Sequence, residues 1–208
     1  YDEYKTDSVR LFEKGVPKRV QKVIFETSFK DYRPIRITGL FYECYELKEI
    51  DGIEYLNTEQ VTDMHHMFYR CYSLKSLNLA NFNTQKVTDM RAMFDECSSL
   101  TSLNLANFNT EQVRNMSFMF SECSSLTELN LSNFTTGQVT NMRGIFYKCS
   151  SLSEINISNF NTNQVKDMYA MFYNCSSLKK LELYRFNTEK AEDMSAMFSL
   201  CSSLKELN

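Results

Sequence analysis

The sequence predicts an α/β solenoid, an arc with a parallel inner sheet and short outer helices. The first observation is that seven cysteines recur at a step of 26 residues, after one step of 27. The second is an L-x-x-L-x-L segment in each unit, whose alternation suits a short strand. The third is an M-x-x-M-F-x-x-C segment, whose apolar residues fall on one face of a helix. A single unit cannot bury these faces alone, so the units must stack.

The strands come first in each unit. We expect them near residues 20–25, 47–50, 74–79, 100–105, 126–131, 152–157 and 178–183. Parallel strands would line the inner surface of the stack, and the helices would lie on the outer surface. Since helices are wider than strands, the stack should curve with the sheet inside. A Phe follows each complete L-x-x-L-x-L segment, and these residues are expected to form a buried aromatic spine: Phe82, Phe108, Phe134, Phe160 and Phe186.

The predicted helices each follow a residue that suits a helix N-terminus. Asp and Asn side chains accept a hydrogen bond from an otherwise unpaired backbone N–H, which makes them preferred N-caps. Such a residue precedes the first Met of each M-x-x-M-F or M-x-x-I-F segment: Asp63, Asp89, Asn115, Asn141, Asp167 and Asp193. A Thr five residues earlier is expected to close the turn between strand and helix: Thr58, Thr84, Thr110, Thr136, Thr162 and Thr188.

The cysteines end the predicted helices. They are Cys44, Cys71, Cys97, Cys123, Cys149, Cys175 and Cys201, and the absence of a C-x-x-C pair disfavours a zinc site of the usual spacing. Equivalent residues of stacked units have nearly parallel Cα–Cβ vectors, whereas a disulfide needs Cβ atoms about 3.8 Å apart. We therefore expect buried, reduced thiols.

The repeat pattern divides the chain into two parts. Residues 20–208 are expected to form one solenoid domain whose last repeat is incomplete, and residues 1–19 its amino-terminal cap or the remnant of one. The chain begins with Tyr1 rather than Met, which indicates a processed or trimmed piece. The apolar edge of the last repeat is expected to self-associate weakly or to fray.

Composition and motifs exclude several classes of function. The net charge of −3 and the lack of clustered Lys and Arg argue against nucleic acid. No apolar run approaches the roughly 18 residues that a membrane span needs, which argues against direct membrane insertion. No combination of nucleophile, base and orienting residue is recognisable, so no catalytic or cofactor-binding residue is predicted, and the chain is not expected to be an enzyme.

No metal site is predicted either. The only histidines, His65 and His66, are adjacent, and neighbouring helical residues point in different directions, so they would not share one ion. Calcium takes six to eight oxygen ligands, and one short acid or amide per unit does not supply them. Capping explains the Asp/Asn positions instead.

The repeat resembles a known family. Segments such as FNTQKVTDMRAMFDECSSLTSLNLANF are similar to the 26-residue repeats of bacterial surface proteins, related to the BspA-type leucine-rich repeats. The resemblance covers roughly residues 20–208, with VTDM, MF, CSSL and LNL in register. It implies a leucine-rich-repeat-like arc, an extracytoplasmic location, and adhesion or protein binding in host-associated bacteria or protists. It carries no catalytic residues.

The predicted function is therefore an extracytoplasmic, non-catalytic module that binds a protein or a host or extracellular-matrix component. The alternative is a structural spacer or stalk of a cell-surface protein, with no ligand of its own. No aromatic residue is among the outward-facing strand positions, and exposed aromatic residues are expected instead on the helical side, at Tyr69, Tyr147 and Tyr173. The candidate binding residues are the outward-facing positions of the strands: Lys75, Asn78, Thr101, Asn104, Thr127, Glu128, Asn130, Ser153, Glu154, Asn156, Lys179, Lys180 and Glu182.

Overall fold

Short parallel strands recur once in every repeat of the computed structural model, which describes residues 3–5 and 15–207. Each of the seven predicted strand segments overlaps one, and the strand Glu49–Asp51 extends one residue beyond the predicted 47–50. All paired strands run parallel, in register across the repeat. The strands are β1 (Glu3–Lys5), β2 (Lys22–Ile24), β3 (Glu49–Asp51), β4 (Ser76–Asn78), β5 (Ser102–Asn104), β6 (Glu128–Asn130), β7 (Glu154–Asn156), β8 (Lys180–Leu181) and β9 (Glu206–Leu207).

The sheet is divided rather than continuous. The strands pair as β1–β2–β3, β4–β5, β6–β7 and β8–β9. Within the described residues, no backbone hydrogen bond joins β3 to β4, β5 to β6, or β7 to β8. Side chains alternate as a half-buried strand requires: Leu77 is buried, while Ser76 and Asn78 on either side are exposed. We refer to β1–β9 together as the strand column.

The predicted outer helices are wrong. Among the described residues, the only helices are short 3₁₀ turns at Thr27–Lys30 and Ile53–Tyr55, and neither lies in an M-x-x-M-F segment. Those segments are successive tight turns, whose hydrogen bonds run partly to the neighbouring unit. The N–H of Phe120 donates to the carbonyl of Ile145 in the next unit, at 3.0 Å. Alternate residues along the segment make the same bond, so the turns of successive units form a ladder.

Backbone conformation explains why a helical apolar spacing gives turns here. Phe118 and Glu122 both have positive φ, as do the equivalent residues of the other complete units. An L-residue in this left-handed region costs roughly 1–2 kcal/mol and interrupts an α-helix. Gly144 occupies the position of Phe118 in its unit, and a Cβ there would lie 2.5 Å from the Phe118 ring. Two successive turns place the four apolar residues of an M-x-x-M-F-x-x-C segment in the core, just as one helix would.

We call these segments the turn column, defined as residues 37–44, 63–71, 89–97, 115–123, 141–149, 167–175 and 193–201. Every junction between neighbouring segments carries four backbone hydrogen bonds that point towards the carboxyl end of the chain. Residues 63, 89, 115, 141, 167 and 193 also form a row of parallel β-bridges. No wide helix separates the units, so the reason for expecting curvature with the sheet inside no longer applies.

The Asp/Asn and Thr positions have different partners from those predicted. Asn115 Oδ1 accepts the N–H of Ser117 at 3.0 Å, and its equivalents do the same, so these residues cap turns instead of helices. Thr136 is buried, and its side chain forms hydrogen bonds with the next unit. Its hydroxyl accepts the N–H of Asn161 at 2.7 Å and donates to the carbonyl of that residue at 2.9 Å. The Thr row therefore joins neighbouring units.

The core lies between the two columns and is built from stacked rows of equivalent side chains. The Phe spine is confirmed as buried at Phe82, Phe108, Phe134 and Phe160, whereas Phe186 is only half-buried. A second aromatic row in the turn column is longer. Its rings stack at 5.1–5.9 Å between centroids along Phe41, Phe68, Phe94, Phe120, Phe146, Phe172 and Phe198.

The cysteines are buried as predicted, except for half-buried Cys201. The thiol of Cys149 lies 3.0 Å from the Phe120 carbonyl of the preceding unit, and its equivalents make the same contact. Burial raises the pKa of the Cys149 thiol to about 12. The reduced state stays a prediction, but a buried neutral thiol acts here as a small apolar residue with a weak donor.

The amino-terminal region continues the stack. Strand β1 pairs with β2, and Val16 is buried in the core. The cap predicted for residues 1–19 falls partly outside the described residues, because 1–2 and 6–14 are not among them, and neither is 208. The boundaries 1–19 and 20–208 stay predictions.

Candidate binding face

The strand column presents the predicted binding residues on one surface. All thirteen candidates are exposed except Ser153, which is half-buried. The register of the strand pairs places equivalent side chains side by side, Asn78 beside Asn104 and Asn130 beside Asn156. The repeat thus converts a sequence spacing into rows of equal side chains. This confirms the exposure of the candidates, while their role in binding stays a prediction.

The exposed Asn residues are partly used by the fold itself. Asn104 Oδ1 accepts the N–H of Ala106 at 3.1 Å, and Asn130 Oδ1 accepts that of Ser132 at 3.0 Å. These bonds hold the side-chain oxygen against the chain. The amide nitrogens of the two residues remain at the surface as hydrogen-bond donors.

Grooves run along the strand column, both between unpaired strands and over the paired strands β6 and β7, where one has a volume of about 400 Å³. Between β7 and β8 lies a groove of about 530 Å³, lined by 153–158 with Lys179, Lys180 and Glu182. A smaller groove lies between β5 and β6, bordered by Asn104, Asn130 and Asn133. The first groove is bordered by charges of both signs, and Lys180 pairs with Glu182 at 2.8 Å. Glu154 stands directly opposite Glu128 in the register, which adds local negative charge.

Four tyrosines of the turn column form two separate stacks. Tyr42 stacks on Tyr69, and Tyr147 on Tyr173, each with ring centroids 5.0 Å apart. Tyr69, Tyr147 and Tyr173 are half-buried instead of exposed, because each ring covers its neighbour. The sequence signal for this pairing was the recurrence of Tyr at a step of 26 or 27 residues.

A charged network interrupts the Tyr rows. Glu96 accepts hydrogen bonds from Arg70 Nε at 2.9 Å and from the Tyr72 hydroxyl at 2.8 Å. Asp95 occupies the position that Tyr69 and Tyr147 have in their units. Burial, only partly offset by a hydrogen bond with Ser121, raises the pKa of the Asp95 carboxyl to about 7.

The structure also brings together three metal-ligating side chains that the sequence prediction kept apart. Asp63, His65 and Asp89 each offer one ligand atom, and these atoms lie within 4.8 Å of one another. His65 Nδ1 is 2.6 Å from Asp63 Oδ1. The sequence prediction treated the two histidines and the Asp/Asn row as separate candidates for an ion, and it did not combine His65 with two Asp residues. The signal that it missed was the 26-residue step, which places Asp89 beside Asp63 in the next unit.

Comparison with known proteins identifies the repeat. A protein-family model described as "Mycoplasma protein of unknown function, DUF285" matches residues 35–130 and 122–208. The chain belongs to this family. The match covers most of the chain, and it confirms the resemblance to bacterial surface-protein repeats of the leucine-rich kind.

Solved leucine-rich-repeat structures are similar to the chain at low identity. A leucine-rich repeat protein from Bacteroides ovatus is 17% identical over 91% of this chain, with a TM-score of 0.39, and the chain spans 60% of that protein. A leucine-rich cell surface protein from Faecalibacterium prausnitzii is 18% identical, with 90% of this chain and 82% of that one covered and a TM-score of 0.34. With TM-scores this low, the assignment rests on the family match alone.

Two further comparisons complete the description. The curated proteins include no significant match. Among the described residues, 3–5 and 15–207, no helix has the length and apolar character that crossing a bilayer demands.

Proposed function

We propose that the chain is a non-catalytic repeat module that binds another macromolecule, a protein or an extracellular-matrix component, through the strand column. The observation that carries this proposal is the coincidence of the β7–β8 groove with Ser153, Glu154, Asn156, Lys179, Lys180 and Glu182. These residues are candidates from the sequence alone, and they border an open groove in the fold. The resemblance of the repeat to those of bacterial surface proteins supports a role in recognition.

The composition of the surface favours a polar, extended partner. The groove offers Lys179 and the Asn156 amide as donors, Glu154 as an acceptor, and the half-buried side chain of Ile155 as apolar contact area. A typical protein interface combines an apolar core with several direct hydrogen bonds, and this groove offers groups for both. Adhesion through such contacts suits a protein that is secreted or anchored outside the cytoplasm, and we propose that location.

The test compares matched substitutions on the two columns. The chain is assayed by biolayer interferometry against a panel of purified extracellular-matrix proteins. The variants Asn156→Lys and Lys179→Glu change the groove, while Arg114→Glu changes an exposed residue beside the turn column. We expect the groove variants to weaken binding at least about 10-fold, as for residues at the centre of an interface. Equal binding by all variants would contradict the placement of the site.

The second candidate is a structural spacer. The observation that favours it is the absence of Trp, Tyr and Phe among the thirteen candidates, since aromatic residues are enriched in binding hot spots. A spacer requires stiffness but no ligand. Failure of the chain to bind any component of the panel, with unchanged stability, would favour this second function.

A further inference from the structure

The cluster of Asp63, His65 and Asp89 lies on the turn column, apart from the proposed binding face. Asp63 and Asp89 are equivalent residues of neighbouring units, joined by a parallel bridge. His65 stands two residues after Asp63, and its ring lies against the Asp63 carboxylate. The side chains of His65 and Asp63 are 24% and 21% exposed, so an ion could reach them from solvent.

Another pair of carboxylates at the same position in the repeat shows what the cluster lacks. Asp167 and Asp193 are also stacked neighbours, and Arg143 from the preceding unit reaches both, at 3.6 Å and 3.9 Å. The residue equivalent to Arg143 in front of Asp63 and Asp89 is Thr38. Among the described residues, neither Arg36 nor Arg91 forms an ion pair with either carboxylate. The two adjacent carboxylates therefore lack the Arg of the later pair. Each accepts a turn-capping backbone N–H, from His65 or from Arg91, and Asp63 also contacts the His65 ring.

We infer that Asp63, His65 and Asp89 bind a divalent transition-metal ion such as Zn²⁺. Imidazole nitrogen and carboxylate oxygen are both zinc ligands, and an open zinc site has three protein ligands with water in the fourth position, so these three side chains would supply enough ligands. Bonds of about 2.1 Å place tetrahedral ligand atoms roughly 3.4 Å apart, so atoms within 4.8 Å need only small side-chain rotations. The ion takes the place that Arg143 holds in the later pair, and it bridges two consecutive units.

The neighbouring histidine is excluded from the set. The ring of His66 packs against Tyr42 and Tyr69. His66 therefore serves as an internal control that has the same chemistry and lies next to the site.

The repeat supplies substitutions that should fold. Asp63→Asn and Asp89→Asn keep the turn-capping oxygen, since Asn115 and Asn141 cap the same turn. His65→Ser introduces the residue found at Ser117 and Ser195. The control His66→Ala introduces the residue found at Ala92, Ala170 and Ala196, which share its positive φ. A second control is Asp167→Asn. It makes the same Asp-to-Asn change as Asp63→Asn, but in the pair of carboxylates whose charge Arg143 neutralises.

The experiment titrates the whole chain with ZnCl₂ by calorimetry and with CoCl₂ by absorption spectroscopy. We expect one ion per chain, and a loss of affinity of at least about 10-fold in each of the three site variants, since even outer-shell changes cost that much. The controls should bind as the parent does. Absence of binding, unchanged binding in His65→Ser, or a Co²⁺ spectrum with intense thiolate charge-transfer bands would each overturn the inference. This test does not involve the strand column, so it is independent of the proposed function.

Discussion

The turn column and the strand column run along opposite sides of the same stack, yet the backbone joins the units differently on the two sides. In the turn column, four hydrogen bonds of 2.7–3.2 Å cross every junction from residue 37 onward. In the strand column, pairing stops after β3, β5 and β7. The comparison indicates that the turn column holds the units in register. The strand column is joined by backbone hydrogen bonds only in separate groups of two or three strands.

The largest expected difference between the columns is in packing. Phe120 is fully buried, with stacked partners at 5.7 Å and 5.8 Å. Replacing it with Ala should lower the free energy of unfolding by about 3–5 kcal/mol. The change Leu103→Ala in half-buried β5 should cost less than about 2 kcal/mol, because less contact area is lost. Urea unfolding curves measure both, and equal losses would remove the distinction between the columns.

A smaller effect is expected from the Thr row. Thr136→Val keeps the shape but leaves the N–H and carbonyl of Asn161 without their partner across the junction. We expect a loss of about 2 kcal/mol, the usual penalty for buried unpaired groups. Ser153→Ala removes a hydrogen bond to Thr127 in the strand column and should cost less than about 0.5 kcal/mol, as is usual for partly exposed sites. A larger loss for Ser153→Ala than for Thr136→Val would show that the strand column contributes more to the free energy of unfolding.

The pH dependence of stability should reveal Asp95 in the turn column. Its pKa is about 7 in the folded chain, against an ordinary value of 3.8. Folding therefore favours the protonated form, so the free energy of unfolding should fall as pH rises from about 4 to about 7. Asp95→Asn should remove that part of the pH dependence in chemical denaturation series at several pH values. An unchanged slope would mean that the Asp95 carboxyl is fully solvated.

The smallest effect is expected at the carboxy-terminal edge. Leu200 is 60% exposed and Leu207 is 49% exposed, beside half-buried Phe198. We expect weak self-association through this edge, visible as a concentration-dependent sedimentation coefficient. The double change Leu200→Lys and Leu207→Lys should abolish that dependence. Association that survives both substitutions would place the contact elsewhere, with the divided strand column as the next surface to test.

The sequence was sufficient for the repeat, the strand positions, the buried Phe and Cys rows and the exposed Asn rows. It was misleading for the segments between Asp/Asn and Cys. The spacing of Met116, Met119, Phe120 and Cys123 fits one helix or two successive turns equally well, because both place the same residues inward. The two structures differ in which carbonyl groups accept hydrogen bonds from the backbone N–H groups. In the turns these carbonyls belong partly to the neighbouring unit, so a pattern within one unit does not reveal them.

The candidate sites, like the turns, could be predicted from the sequence only where they depend on a single unit. Exposure of Lys179 or Asn156 follows from strand alternation within one unit, so the sequence predicts it. The groove between β7 and β8 depends on which neighbouring strands pair, and no local residue pattern encodes that. The cluster of Asp63, His65 and Asp89 combines two units. It becomes visible only when equivalent positions 26 residues apart are compared across the stack as well as along the chain.

The most direct test of the turn column is the measurement of scalar couplings across hydrogen bonds by NMR on uniformly labelled chain. The N–H of Phe120 should couple to the carbonyl carbon of Ile145, and the N–H of Glu122 to that of Tyr147. Such couplings would show that units are joined by backbone bonds between turns. Couplings from these two N–H groups to the carbonyls of Met116 and Phe118, four residues earlier, would demonstrate α-helices and contradict the fold described for this column.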